Sequence, residues 1–165
     1  MDEYDEQRRN FLIKALGYGM FATGATGLSV PAWAMGKIPG ELPPGRSIYR
    51  LKGKVKVDCT YATLDTPITY RSTIETGADG SIVFAVGKDA FILRSQGKLE
   101  MQGNETILTG LRLITGKLLS VFGKRQPEQR LGVSTVVATI GVRGTGIYVE
   151  SEPDQTYICT CYGIA

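Results

Sequence analysis

SIVFAVGKDAFILR, residues 81–94, contains the clearest structural signal in the chain. Every second residue in 82–86 is a large apolar one, which is the period of a strand with one buried face. Gly87-Lys88-Asp89 provides a tight turn, and residues 90–94 return in the opposite direction. Two such runs joined by a glycine-containing turn predict a β-hairpin.

Short apolar or alternating runs continue on both sides of this hairpin. We expect loops at 60–67 and 123–130, the latter polar and exposed, and a turn at Gly116. A helix is conceivable only in 105–115, where Gly110 interrupts the pattern and threonine disfavours it, so strands are expected there too. The predicted strands cover residues 55–59, 68–75, 98–102, 106–109, 117–122, 131–140, 146–150 and 156–161.

Turn signals recur at the spacing typical of all-β domains. We therefore predict an all-β fold over residues 47–165: a meander of short strands forming a sandwich, a barrel or a short β-solenoid-like module. No polar tail follows the last predicted strand, which suggests that the domain continues past 165 or that a partner covers this edge.

The first 34 residues have the three parts of an export signal. Arg8-Arg9 is followed by Phe11-Leu12, then by a glycine-rich uncharged run, predicted to be a helix too mild to span a membrane stably. Ala32-Trp33-Ala34 matches an Ala-x-Ala cleavage signature. The alternative is the amphipathic helix of a cytosolic protein.

The paired arginines and the Phe-Leu after them resemble a twin-arginine export signal. That resemblance implies export of an already folded chain to the periplasm, with cleavage after Ala34. It also implies membrane contact only through the signal, should the signal stay uncleaved. Residues 35–46 hold three prolines and three glycines and are predicted to be an extended linker.

Composition excludes several kinds of site. The chain has 165 residues and no histidine, so Ser-His-Asp and Cys-His nucleophile pairs and histidine metal or haem ligands are ruled out. A net charge of +3, without a dense basic stripe, argues against nucleic-acid binding. No phosphate-binding loop and no nucleophile motif is present, so we expect a protein that is not an enzyme and has no cofactor.

Gly141-Val142-Arg143-Gly144-Thr145 is the most distinctive short motif. Glycine permits a positive φ or close backbone approach, so the motif predicts a bulged, sharply turned segment between two strands. Arg143 has five donors and could bind backbone carbonyls as a structural residue. Alternatively, it could bind the carboxylate or phosphate of a ligand.

The longer run VSTVVATIGVRGTGIYVE, residues 133–150, resembles the signature of the FecR domain family. Gly77-x-x-Gly80-Ser81 with the following hairpin, and Gly53-Lys54-Val55, are also similar to that domain. The resemblance covers roughly residues 47–160, and the block Ile-Gly-Val-Arg-Gly-Thr is its specific part.

The family includes periplasmic portions of sigma-factor regulators that receive a signal from an outer-membrane transporter. Those proteins carry a cytoplasmic anti-sigma segment and a membrane span, whereas here only an export signal precedes the domain. The resemblance therefore implies a stand-alone exported interaction module, with a protein partner or an envelope polysaccharide as ligand and a possible place in envelope signalling.

The three cysteines offer an alternative function. Cys159 and Cys161 would share one face of a strand, too far apart for a relaxed disulfide. A bridge from Cys59 to one of them, three inert thiols, or a thiolate metal site all remain open. A redox or metal-handling envelope protein using Cys159 and Cys161 is thus the second hypothesis.

Glu150, Glu152 and Asp154 lie close together before the last predicted strand. Paired carboxylates can do acid–base work or bind Ca²⁺. The plainer interpretation is a solvated turn.

Overall fold

The computed structural model describes residues 45–123, 125–126 and 131–164, with the backbone alone for 143–145 and 161–164. The predicted export signal, with Arg8, Arg9, Phe11, Leu12, Ala32 and Ala34, and nearly all of the linker lie outside the described residues. No helix in the described part of the chain is long and apolar enough to cross a bilayer.

The prediction of an all-β fold is confirmed. The described residues form a curled, mainly antiparallel sheet. Its strands are β1 (Ile48–Lys52), β2 (Val55–Val57), β3 (Thr60–Tyr61), β4 (Thr73–Thr76), β5 (Ser81–Val86), β6 (Asp89–Leu93), β7 (Lys98–Gly103), β8 (Leu108–Val121), β9 (Leu131–Ser134), β10 (Thr139–Ser151) and β11 (Thr156–Ile164).

The sheet has two halves, and two long strands, β8 and β10, run through both of them. The first half consists of β1, β5, β6, the C-terminal part of β8, the C-terminal part of β10, and β11. The second half consists of β3, β2, β4, β7, the N-terminal part of β8, β9, and the N-terminal part of β10. Only β8 and β9 pair in parallel among the described strands, so the pairing favours a sandwich over a β-solenoid, whose coils are parallel.

The two halves bury their inward faces in one hydrophobic core. Alternate residues of each strand supply it, as period two requires. The largest fully buried side chains are Phe84, Phe91, Phe122, Ile48, Ile74, Ile82, Leu93, Leu99, Leu108, Leu111, Leu113 and Leu118.

The hairpin predicted from residues 81–94 is present as β5 and β6. Ile82 pairs with Leu93 and Phe84 with Phe91, and the two phenylalanine rings stack with centroids 5.0 Å apart. Gly87 has a φ of +57° in the connecting turn, a conformation that glycine adopts without steric cost.

A turn between strands was predicted at Gly116, and this prediction is wrong. The residue lies inside β8 with a φ of +95°, where a Cβ would come within 2.6 Å of the Gly97 Cα. Residues 108–115 of β8 pair with β7, and residues 116–121 pair with β10. Gly116 is therefore the corner at which one continuous strand passes from the second half of the sheet to the first.

Three other local predictions need correction. The predicted strand at 131–140 is interrupted at residues 135–138, where the Thr135 amide donates to the Ala138 carbonyl in a turn between β9 and β10. The predicted strand at 68–75 begins only at Thr73. The Ser47 hydroxyl bonds the backbone N–H and carbonyl of Ile68, and Ser72 bonds those of Thr69 in a turn. The predicted loop at 60–67 contains the short strand β3, which pairs with β2.

The loop that begins at residue 123 is not uniformly exposed. Arg125 turns inward and its Nη2 lies 2.6 Å from Oδ2 of Asp89, the first residue of β6. The side chain of Asp89 is 1% exposed and that of Arg125 is 11% exposed. The polar composition of this segment gave no sign that one of its arginines has a buried partner.

Candidate functional site

The Gly141–Thr145 motif lies where β10 changes partners. Residues 139–142 pair with β9, and residues from 146 onward pair with both β8 and β11. The register against β11 shifts between Gly144 and Gly146, which leaves Thr145 as an extra residue. The predicted bulge is confirmed, but it lies within one continuous strand instead of between two.

Gly141 itself does not need to be glycine for the reason predicted. It has no positive φ, and no atom lies within 4 Å of where its Cβ would be. It pairs with Gly132, which in turn pairs with Gly110 of β8. The structure describes only the backbone of Arg143 and Thr145, so both interpretations of the Arg143 side chain stay predictions.

The three cysteines lie in two places: Cys59 is in a turn, and Cys159 and Cys161 are both on β11. Cys59, with a φ of +68°, is in the turn between β2 and β3, and Cys159 pairs with Tyr148 on the outer surface of β11. Both are exposed free thiols. The second register shift leaves Cys161 as the extra residue of β11, which interrupts the regular alternation assumed for Cys159 and Cys161.

Metal ligation gains no support from the described side chains. They contain no group of three or more cysteine, aspartate or glutamate residues placed to hold an ion. The side chain of Cys161 lies outside that description. The thiol pair therefore stays a prediction.

A different cluster forms on the outer surface of the β10–β11 hairpin. We call it the hairpin site, and it consists of Lys117, Tyr148, Glu150, Glu152, Gln155, Thr156 and Tyr157. Pairing of Glu150 with Lys117 of β8 on one side and with Tyr157 of β11 on the other brings three strands to one place. Because side chains alternate along a strand, Tyr148 and Glu150 project on the same outer face.

Glu150 is the centre of the hydrogen bonding. The Tyr148 hydroxyl donates to Glu150 Oε1 at 2.5 Å, and Lys117 Nζ lies 3.0 Å from Glu150 Oε2. The hydrogen bonds from Tyr148 and Lys117 lower the pKa of Glu150, so the carboxylate is ionised at neutral pH. A carboxylate that two donors hold in its charged form is poorly suited to proton transfer. It is well suited to fixing the positions of the Tyr148 and Lys117 side chains.

The pKa of Tyr148 is shifted in the opposite direction, upward. Burial first, and then the hydrogen bond to the Glu150 carboxylate, raise the pKa of Tyr148 to about 12. Its phenol therefore stays protonated and keeps donating to Glu150 over the whole physiological range. The ring of Tyr148 meets that of Tyr157 edge to face, with centroids 6.4 Å apart, an arrangement that the aromatic quadrupole favours.

A shallow pocket of about 420 Å³ lies beside these rings. Its lining consists of Glu150, Glu152, Gln155, Thr156 and Tyr157. The turn between β10 and β11 is closed by the Glu152 amide, which donates to the Gln155 carbonyl, and by Gln155 Nε2, which lies 2.6 Å from Glu152 Oε2. The pocket volume is within the range of about 300–1,000 Å³ that is usual for small-ligand sites.

The sequence revealed only part of this site. The acidic group was recognised, with a solvated turn as the plainer interpretation. That interpretation holds for Glu152 and Asp154, which are exposed in the turn, whereas Glu150 has two hydrogen-bond partners. Both tyrosines were missed. The signal for Tyr148 was available in the alternation of Tyr148-Val149-Glu150, which places a phenol and a carboxylate on one face. Lys117 could not have been found because it lies 33 residues away from Glu150 along the chain.

Comparison with known proteins gives no relative from which to transfer a role. No family model, no curated protein and no solved structure matches the chain. The resemblance to the FecR domain therefore depends on the residues quoted above and stays a prediction.

Proposed function

We propose that this protein is an exported, FecR-like β module of the bacterial periplasm that acts by binding, with the hairpin site as its binding surface. The export part depends on Arg8, Arg9, Phe11 and Leu12. The binding part depends on one observation: an exposed aromatic residue, Tyr157, lines a pocket whose carboxylates already have donors. Such a surface offers contact instead of proton transfer.

Export is tested with the full chain and a double variant, Arg8→Lys with Arg9→Lys. Lysine keeps the charge but not the paired guanidinium groups that the twin-arginine receptor reads. We expect the unchanged chain in the periplasmic fraction and the variant in the cytoplasm. Equal distribution of the two would contradict export by this route.

Binding through the hairpin site is tested with a photoreactive residue at position 157, compared with the same residue at position 61. Tyr61 is a matched control because it is 63% exposed, against 58% for Tyr157, and lies on β3 in the other half of the sheet. We expect envelope adducts from position 157 only. Equal adducts at both positions, or none, would refute this surface as the binding site.

A second candidate function, redox or metal handling through Cys159 and Cys161, is favoured by the exposure of the Cys159 thiol. An exposed thiol can be oxidised or can ligate a soft metal. Thiol labelling and mass spectrometry of the exported chain test it. A mixed population of bonded or metallated thiols is expected, and three free, metal-free cysteines would eliminate the hypothesis.

A further inference from the structure

We infer that the hairpin site binds an uncharged glycan strand, with the ring of Tyr157 stacking on the flat face of one sugar. The inference rests on the proposed binding function and specifies its ligand class. A sugar ring has an apolar face of C–H groups and an edge of hydroxyls. The site has the complementary pair of surfaces: one exposed aromatic face, and beside it a row of side chains that accept or donate hydrogen bonds.

The side chains that line the pocket favour a glycan over a peptide as its ligand. Small-ligand and peptide sites are lined mostly by apolar side chains, with a few polar groups for orientation. Here the proportions are inverted: four of the five lining side chains are polar, and the only ring is Tyr157. None of the five lining residues is aliphatic, so the pocket suits a ligand that presents hydroxyls better than one that inserts an apolar anchor.

The negative charge of the pocket favours an uncharged glycan over an acidic one. Glu150 and Glu152 both line the pocket, and the lowered pKa of Glu150 keeps that carboxylate ionised. An acidic polymer would place its own carboxylates against them, at a cost in repulsion. A cationic ligand would have to compete with Lys117 for Glu150, whereas a sugar hydroxyl can donate to the Glu150 carboxylate without displacing Lys117.

The stacking surface is held in place before any ligand arrives. The ring of Tyr148 contacts that of Tyr157 at an interplanar angle of 65°, and the Tyr148 hydroxyl donates to Glu150. The Thr135 and Thr156 hydroxyls lie 2.7 Å apart and hold the β9–β10 turn beside the pocket. A preorganised ring loses little conformational freedom on binding, which favours affinity.

The test is a glycan array of uncharged and acidic oligosaccharides, probed with the full-length chain. Tyr157→Ala is compared with Tyr61→Ala, an equally exposed tyrosine in the other half of the sheet, and with Tyr157→Phe, which retains the ring. We expect binding to uncharged glycans that falls at least tenfold in Tyr157→Ala and stays within twofold in the other two. Thermal unfolding of the variants confirms that each is folded, since Tyr157 is exposed.

Three outcomes would overturn the inference: no uncharged glycan bound, only acidic glycans bound, or equal binding by Tyr157→Ala. Binding of a lysine-rich peptide in place of glycans would also overturn it. If photocrosslinking from position 157 still yields adducts, the proposed binding function stands and only the glycan fails. If neither adducts nor export are seen, the proposed function itself fails.

Discussion

The buried pair of Asp89 and Arg125 gives the most informative test of how the fold is stabilised. Asp89 Oδ2 lies 2.6 Å from Arg125 Nη2, and Asp89 Oδ1 accepts the backbone N–H of Gly123 at 3.1 Å. The other guanidinium nitrogen, Nη1, donates to the Leu108 carbonyl at 3.1 Å. The pair thus fastens the segment after β8 to the first residue of β6. The perturbation is Asp89→Asn, which keeps shape and size but removes the charge.

The magnitude follows from two opposing effects. Burial raises the pKa of Asp89 despite the opposing charge of Arg125, so ionised Asp89 is costly in the folded state and its removal brings some relief. Removing one partner, however, leaves Arg125 charged in a site only 11% exposed. Breaking a buried pair in this way costs about 3–5 kcal/mol. Because asparagine can still accept from Gly123, we expect the lower end, about 3 kcal/mol.

Chemical denaturation at neutral pH measures the loss in the free energy of unfolding. In thermal unfolding, a domain of this size should show a Tm lower by about 12 °C. The double variant Asp89→Asn with Arg125→Met should recover most of it, because neither charge is then left alone. Asp65→Asn is the control: Asp65 pairs with Arg46 at 2.5 Å on the exposed surface, where a pair contributes about 0–1 kcal/mol.

The pair also makes a pH prediction for Arg125→Met. Without the guanidinium, the pKa of Asp89 rises further, so the variant loses stability as pH increases through that pKa and loses less at acid pH. The reasoning is refuted if Asp89→Asn costs less than about 1 kcal/mol. It is equally refuted if the double variant is as unstable as the single one.

Three further changes have defined outcomes. Gly116→Ala should destabilise by about 2 kcal/mol or more because φ is +95° and a Cβ meets backbone, whereas Gly132→Ala, in open space, should be neutral or slightly stabilising in the same denaturation assay. Ser120→Ala should stabilise by about 1 kcal/mol, since the buried Ser120 hydroxyl has no hydrogen-bond partner among the described residues; no gain in Tm would contradict this. Phenolate absorbance should show Tyr148 ionising near pH 12, and Glu150→Gln should lower that pKa. Since the unfolded tyrosine ionises near pH 10, the free energy of unfolding should fall as pH rises from about 10 to about 12; an unshifted titration in Glu150→Gln would contradict the contact.

Local patterns predicted the parts of the fold that depend on neighbouring residues. The hairpin at 81–94 required only alternation and a turn, and both signals lie within fourteen residues of sequence. Gly116 shows where this reasoning stops. A glycine with positive φ occurs in tight turns and at strand corners alike, and only the pairing of β8 with β7 on one side and β10 on the other distinguishes the two.

The hairpin site depended on the same kind of long-range pairing. Its carboxylate and one tyrosine lie on β10, the second tyrosine on β11, and the lysine on β8. Alternation could place Tyr148 and Glu150 on one face, but only the register between strands places Lys117 beside them. Sequence patterns assign residues to the faces of strands. Predicting a site also requires the order of the strands in the sheet, which these patterns do not contain.

The distinctive motif and the hairpin site occupy different parts of β10, and this separation bears on function. Residues 139–142 pair with β9, pairing with β11 begins at Arg143, the bulge at Thr145 follows, and pairing with β8 begins at Gly146. The short motif at residues 141–145 thus spans a change of strand partners, which is a requirement of the fold. Tyr148 and Glu150 lie beyond it, on an outer face where substitution leaves the core intact. Fold and ligand can therefore vary independently along one strand, so a relative sharing residues 141–145 but lacking Tyr157 should fold alike and not bind the same ligand.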